Sequence, residues 1–163
     1  METIATSGMD HEQQETQKAI ECLVHSQSTL VLSTVNADGT PYAAPLFYLA
    51  GGELEFYWFS STSSQHSENL IRSRSVAVAI YASTEHWKEI CGVQMRGAVE
   101  NITDRKVRRD VTRRYCERFH LGRIFRLALS RSSLYVLRPS WIRYIDNSRH
   151  FGYRAEIGLP PRL

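Results

Sequence analysis

The sequence predicts a mainly β chain with flanking helices, an α+β protein built around a small antiparallel barrel. Three observations lead there. Residues 30–35 and 41–49 are apolar, β-rich segments joined by Ala37-Asp38-Gly39-Thr40, an Asp-Gly hairpin signal. Residues 54–70, LEFYWFSSTSSQHSENL, read as a buried strand, a turn of hydroxyl residues and the opening of a helix. Two β-rich segments, 75–81 and 92–102, then follow without the strand–helix alternation of a parallel sheet.

Each element has a local reason. Residues 1–10 are small and polar and are expected to be disordered. From 11 to 27, Ala19, Ile20, Leu23 and Val24 form one helical stripe. Pro41 and Pro45 cannot donate to a ladder, which suggests an edge or the first residues of strands. Gly51-Gly52 turns into the central strand, and Thr62 with Gln65 matches a capping box for a helix over 63–72. Val107, Val111, Tyr115 and Phe119 repeat every four residues through a helix over 103–120. A second helical piece over 122–130 uses Ile124, Phe125, Leu127 and Leu129, and closing strands at 134–137 and 141–145 flank Pro139. The domain is expected to span 11–155, with a loose tail over 156–163 that includes Pro160-Pro161.

Composition bounds the function. The 163 residues are 42% hydrophobic and 23% charged, ordinary values for one globular domain. No apolar run approaches the ~20 residues a bilayer span needs, so no membrane partner and a cytoplasmic location are expected. Cys22, Cys91 and Cys116 form no CxxC, which argues against a disulfide framework or a cysteine zinc site. The six histidines lack metal-ligand spacing, and no GxxxxGK[ST], HExxH or GxSxG is present. The net charge is only +3, yet residues 105–131 hold ten Lys and Arg opposed by Asp110 and Glu117 alone. That stretch reads as a solvated basic helix, with an anion- or nucleic-acid-binding face as the alternative.

The run Ser60-Ser61-Thr62-Ser63-Ser64 ahead of a helix is the one chemically suggestive signal. The first amides of a helix lack intrahelical partners and carry the positive end of the dipole. Several hydroxyls beside them make a seat for one phosphate group, although the same hydroxyls serve equally as a cap and a turn.

The order and spacing of several short motifs carry a resemblance. ADGTPYAAPLFYL, LEFYWFSSTSSQHSENL, SRSVAVAI, VQMRGAVENI and IRYIDNSRHFGY together resemble the FMN-binding split-barrel proteins related to pyridoxamine 5′-phosphate oxidase, over roughly residues 30–153. Within that superfamily the chain looks like a small bacterial branch of uncharacterised proteins. The resemblance implies a six-stranded antiparallel split β-barrel, a homodimer, and FMN in clefts between the subunits. By position it puts Tyr57, Trp58, Phe59 and Ser60 beside the isoalloxazine and Ser64, Gln65 and His66 at the phosphate. It brings Gln94 and Arg96 towards the cofactor or the dimer cleft. Many members carry Arg and Lys where Gln65 and His66 stand, so here the phosphate relies on a hydrogen bond from His66 instead of a fixed cation. The Arg-x-His motif that grips pyridoxal phosphate in the true oxidase is absent, because Arg149 and His150 are adjacent. The resemblance therefore implies a flavin-dependent oxidoreductase acting on another small molecule, with no catalytic side chain singled out. Two alternatives stand beside it. One is a non-catalytic flavin or haem module, with His66, His120 or His150 as a haem ligand. The other is nucleic-acid binding through the basic helix.

Overall fold

The computed structural model describes residues 4–159. Eight antiparallel strands form one sheet in the order β2-β1-β5-β6-β7-β4-β3, with β8 also paired to β7. The hairpin β1 (Thr29–Val35) and β2 (Pro41–Phe47) forms where its signal stands. Gly39 adopts φ +85°, and Asp38 accepts hydrogen bonds from the Thr40 amide (3.0 Å) and hydroxyl (2.6 Å). Those two bonds hold the Asp38 carboxyl below its usual range. β2 pairs only with β1, so both of its prolines lie on an edge as expected.

The barrel follows from connectivity. β2 and β3 (Leu49–Ala50) stand at opposite ends of the strand order, yet only Tyr48 separates them in the chain. The sheet must therefore curl until its two ends meet. Tyr48 sits fully buried at that seam, and its hydroxyl donates to the Val24 carbonyl at 2.6 Å. This bond ties the seam to α1 (Ile4–Ser26), whose Ile20, Leu23 and Val24 join the main core. α1 is longer than the expected 11–27, and residues 1–3 lie outside the described residues.

The split lies in β7 (Ser133–Asp146). One edge of β7 runs along all of β6 (Cys91–Asn101). Its other edge pairs first with β4 (Phe56–Ser60), over residues 133–137, and then with β8 (Arg154–Gly158), over residues 141–145. The two expected closing strands are thus one continuous strand, bulged where Gly97 of β6 meets Pro139. A Cβ at Gly97 would fall 2.3 Å from the Arg138 carbonyl oxygen, so only glycine fits the bulge. The barrel has eight strands rather than six because β3 and β8 join the sheet. β8 also takes up residues expected to be loose, while residues 160–163 lie outside the described residues.

A second, smaller core lies under α3 (Arg105–Arg118), where Val111 and Tyr115 pack on Leu49, Tyr57, Leu134 and Val136. Asp104 caps α3 through the amides of Lys106 and Val107. Several of its arginines are structural fasteners: Arg118 donates to the His25 and Gln27 carbonyls, and Arg114 to that of Ala50. α4 (Arg123–Arg131) follows, and none of its residues is buried. No helix among the described residues is long and apolar enough to cross a membrane.

Candidate functional site

The site is assembled where β4 hands over to α2 (Gln65–Arg72) at the mouth of the barrel. β4 alternates as a pleated strand must. Phe56 and Trp58 point into the barrel and are fully buried, whereas Tyr57 and Phe59 turn to the core under α3. Tyr57 donates to Glu55 and Phe59 packs edge-on against Tyr115 at 5.2 Å. Burial, with the Glu55 hydrogen bond second, pushes the Tyr57 phenol up to about 12. Trp58 stacks on Tyr135, and its buried indole N–H has no hydrogen-bond partner among the described residues. The side chains of Tyr57, Trp58 and Phe59 are therefore packing groups. β4 nevertheless offers backbone, because β3 pairs only with Phe56 and Tyr57 and leaves one edge of residues 58–60 outside the ladder.

Ser60 ends the inward row and meets the helix. Its hydroxyl lies 2.6 Å from His66 Nε2, and the Ser64 hydroxyl lies 3.0 Å from the same nitrogen. The two hydroxyl oxygens are 3.2 Å apart. Ser64 Oγ also sits 2.9 Å from both the Ser61 carbonyl and the Ser67 hydroxyl, with a single proton to give. Ser64, not Thr62, is the N-cap: its side chain accepts from the Ser67 amide, so α2 starts two residues later than the capping box predicts. His66 is only 6% exposed, and burial holds its pKa below 6.5, leaving a neutral imidazole near pH 7.

The same inward face of α2 carries Ser67 and Asn69, which the sequence reading passed over. Asn69 donates to Thr34 and Asn36, both at 2.9 Å, and accepts from Arg72 at 2.6 Å. This network bolts α2 to the first hairpin. Their signal was position: His66 and Asn69 stand three apart, ahead of the apolar Leu70, on the face that must turn inward. Gln65 is exposed, and its amide donates to Asn69. The backbone amides of Gln65 and His66 make no hydrogen bond among the described residues, which leaves two donors at the positive end of α2. A cleft of about 240 Å³ adjoins, lined by Ser67, Leu70, Arg74, Val99 and Tyr135 among others.

Gln94 and Arg96 occupy a different surface. Both are exposed on the outer face of β6, and Arg96 lies over the Trp141 ring at 4.4 Å. Ser60 pairs with Ser133 of β7, whereas Arg96 pairs with Trp141, eight residues further along the same strand. At about 3.3 Å per residue this offsets them by roughly 23–26 Å along β7. One chain thus brings Ser60, Ser64, Gln65 and His66 together and holds Gln94 and Arg96 apart.

The fold has counterparts among known proteins. The profile of the pyridoxamine 5′-phosphate oxidase family matches residues 16–146. The chain belongs to that family. A relative, the UPF0306 protein plu4501 of Photorhabdus laumondii, is 27% identical over 127 residues, covering 77% of this chain and 84% of the relative. Among solved structures, a heme binding protein from Mycobacterium smegmatis superposes with a TM-score of 0.72 at 16% identity over 88% of this chain. This chain spans 57% of that protein's length. A putative pyridoxamine 5′-phosphate oxidase from Listeria innocua superposes with a TM-score of 0.65 at 18% identity, covering 80% of this chain and 98% of the other. At those identities the structural likeness is one of fold.

Proposed function

We propose that this family member binds FMN in a cleft between two copies of the chain and serves as a flavin-dependent oxidoreductase for a small molecule. The carrying observation is the donor set at the start of α2: two free amides, the Ser60 and Ser64 hydroxyls, and a buried imidazole joined to both. These groups fit a phosphate. With its proton on Nε2, His66 donates to Ser60 Oγ and releases the Ser60 hydroxyl proton for a phosphate oxygen. The seat lacks a fixed cation, so its grip rests on hydrogen bonds and the helix dipole. FMN would supply the hydride or electron transfer, while the chain binds and orients it.

Two features support placement between chains. The phosphate seat and the Gln94–Arg96 surface lie too far apart on one chain to touch one flavin. The surface beside Arg96 also holds a cleft of about 480 Å³, lined by Ser75, Ala98, Arg138 and Trp141 among others, with room for part of a ligand held by a second chain. Pyridoxamine 5′-phosphate is not the substrate proposed. Arg149 and His150 are engaged in their own turn, with Arg149 donating to the Tyr153 hydroxyl at 3.0 Å and His150 beside the Phe151 carbonyl.

A haem-binding role is the second reading, favoured by the superposition on a heme binding protein. His66 is a poor ligand because Ser60 and Ser64 occupy its Nε2, which leaves exposed His120 and His150. One experiment separates the readings: visible spectra of purified protein after adding FMN or haem and desalting. A retained flavin spectrum with no haem band is the expected result. A haem band that moves on replacing His120 or His150, with no flavin kept, overturns the FMN reading.

A further inference from the structure

α4 presents a surface that the flavin reading does not use. Ile124, Phe125 and Leu127 are 85%, 60% and 56% exposed on a nine-residue helix, and only Leu129 turns to the core beneath α3. At about 100° per residue, Leu127, Ile124, Ala128 and Phe125 sweep an arc of ~160°, flanked by Arg123 and joined by Arg131. Between α4 and α3 lies a groove of about 490 Å³ lined by Arg105, Arg108, Arg109, Arg113 and Arg126 with Thr112 and Ser130. Arg113 pairs with Asp110 and Glu117. Arg108 is anchored on the carbonyls of Leu129 and Ser132. Arg105, Arg109, Arg123, Arg126 and Arg131 have no carboxylate partner among the described residues.

We infer that the α3–α4 face docks on an anionic phospholipid surface, the apolar arc of α4 entering the interface and headgroup phosphates filling the arginine groove. Charge complementarity selects this occupant. A second copy placed face to face would set two clusters of uncompensated arginines against each other. Nucleic acid would satisfy the arginines but leave Ile124 and Leu127 in water. A lipid interface takes both the apolar arc and the cations. A helix lying in the interface is invisible to a search for spanning segments, so the expectation of no membrane partner drawn from apolar run length does not bear on it.

The test is co-sedimentation of the full-length protein with sucrose-loaded vesicles of phosphatidylcholine, with or without about 30% phosphatidylglycerol. Binding is expected only with phosphatidylglycerol, weakening with salt and falling about fivefold for each of Arg109→Gln and Arg126→Gln. Ile124→Ser with Leu127→Ser should abolish binding without lowering the melting temperature. Phe125→Trp, which keeps the face apolar, should add an emission quenched by brominated lipid. Failure to bind the anionic vesicles overturns the inference, as does binding indifferent to the serine pair. So does a wild type that binds no vesicles and whose light-scattering mass halves in the serine variant, which assigns the face to a second copy. Retention of a single-stranded oligonucleotide with vesicles left unbound assigns it to nucleic acid.

Discussion

Replacing His66 by alanine probes the joint between β4 and α2. The imidazole is 6% exposed, and its Nε2 lies 2.6 Å from Ser60 Oγ and 3.0 Å from Ser64 Oγ. Alanine removes the one hydrogen bond that Nε2 can make, at about 1 kcal/mol. Losing the ring from a packed site adds about 1–2 kcal/mol. The serine oxygens stay 3.2 Å apart and satisfy each other, so no further penalty for an unpaired group arises. The total is about 2–3 kcal/mol, which at ~2–4 °C per kcal/mol for a chain of this size lowers the melting temperature by roughly 4–12 °C. His66→Gln carries an amide to the same hydroxyls and should cost about 1–2 kcal/mol. Thermal melts by circular dichroism measure both, and FMN retention after desalting measures the site. Ser64→Ala with His66→Ala should release FMN while His66→Gln keeps part of it. A loss below ~1 kcal/mol for alanine would show that the cluster does not hold the joint. A folded double variant with undiminished flavin would refute the phosphate assignment.

Burial depresses the His66 pKa, so the unfolded chain takes up a proton at higher pH than the folded one. The stability this provides is complete above pH ~6.5 and is lost as pH falls from there through the folded-state value. The melting temperature of the wild type should therefore drop more between pH 7.5 and pH 5 than that of His66→Gln, and equal slopes would contradict the neutral buried imidazole. Gly97→Ala places a Cβ 2.3 Å from the Arg138 carbonyl oxygen and 2.7 Å from Pro139 Cα, both rigid backbone. It should cost about 2–3 kcal/mol in a urea melt, and a change under ~0.5 kcal/mol would mean the bulge yields freely.

Much of this was legible because it is local. Asp38-Gly39 writes the first hairpin, and Pro41 and Pro45 write its edge position. The alternation of β6 puts Gln94 and Arg96 on one outward face. What was missed turned on which side chains converge in three dimensions, near in the chain for the α2 cap and distant for the rest. Ser64 rather than Thr62 caps α2 because His66 and Ser60 converge on its hydroxyl. β8 exists because residues 141–145 of β7 offer it an open edge. Ile124, Phe125, Leu127 and Leu129 mark α4 in the sequence, but a run of apolar residues does not report whether anything covers them. The separation of Arg96 from Ser64 is set by the register along β7, which no local pattern encodes.

That separation yields the sharpest test of a site shared between chains. If α2 of one chain and β6 of its partner together hold one flavin, two defective variants should rescue each other. Ser64→Ala/His66→Ala breaks the α2 half, and Arg96→Ala breaks the β6 half. Unfolded together and refolded as an equal mixture, they form mixed dimers in about half of the population. In each mixed dimer one cleft combines both defects and the other combines the two intact halves. About a quarter of all clefts should then retain FMN, against near zero for either variant refolded alone. A site held within one chain gives no gain on mixing, because Arg96 lies out of its reach and the Arg96→Ala variant refolded alone already keeps its flavin. Rescue near a quarter would therefore place the cofactor across the interface, and its absence would confine any flavin to the mouth of a single barrel, out of reach of Arg96.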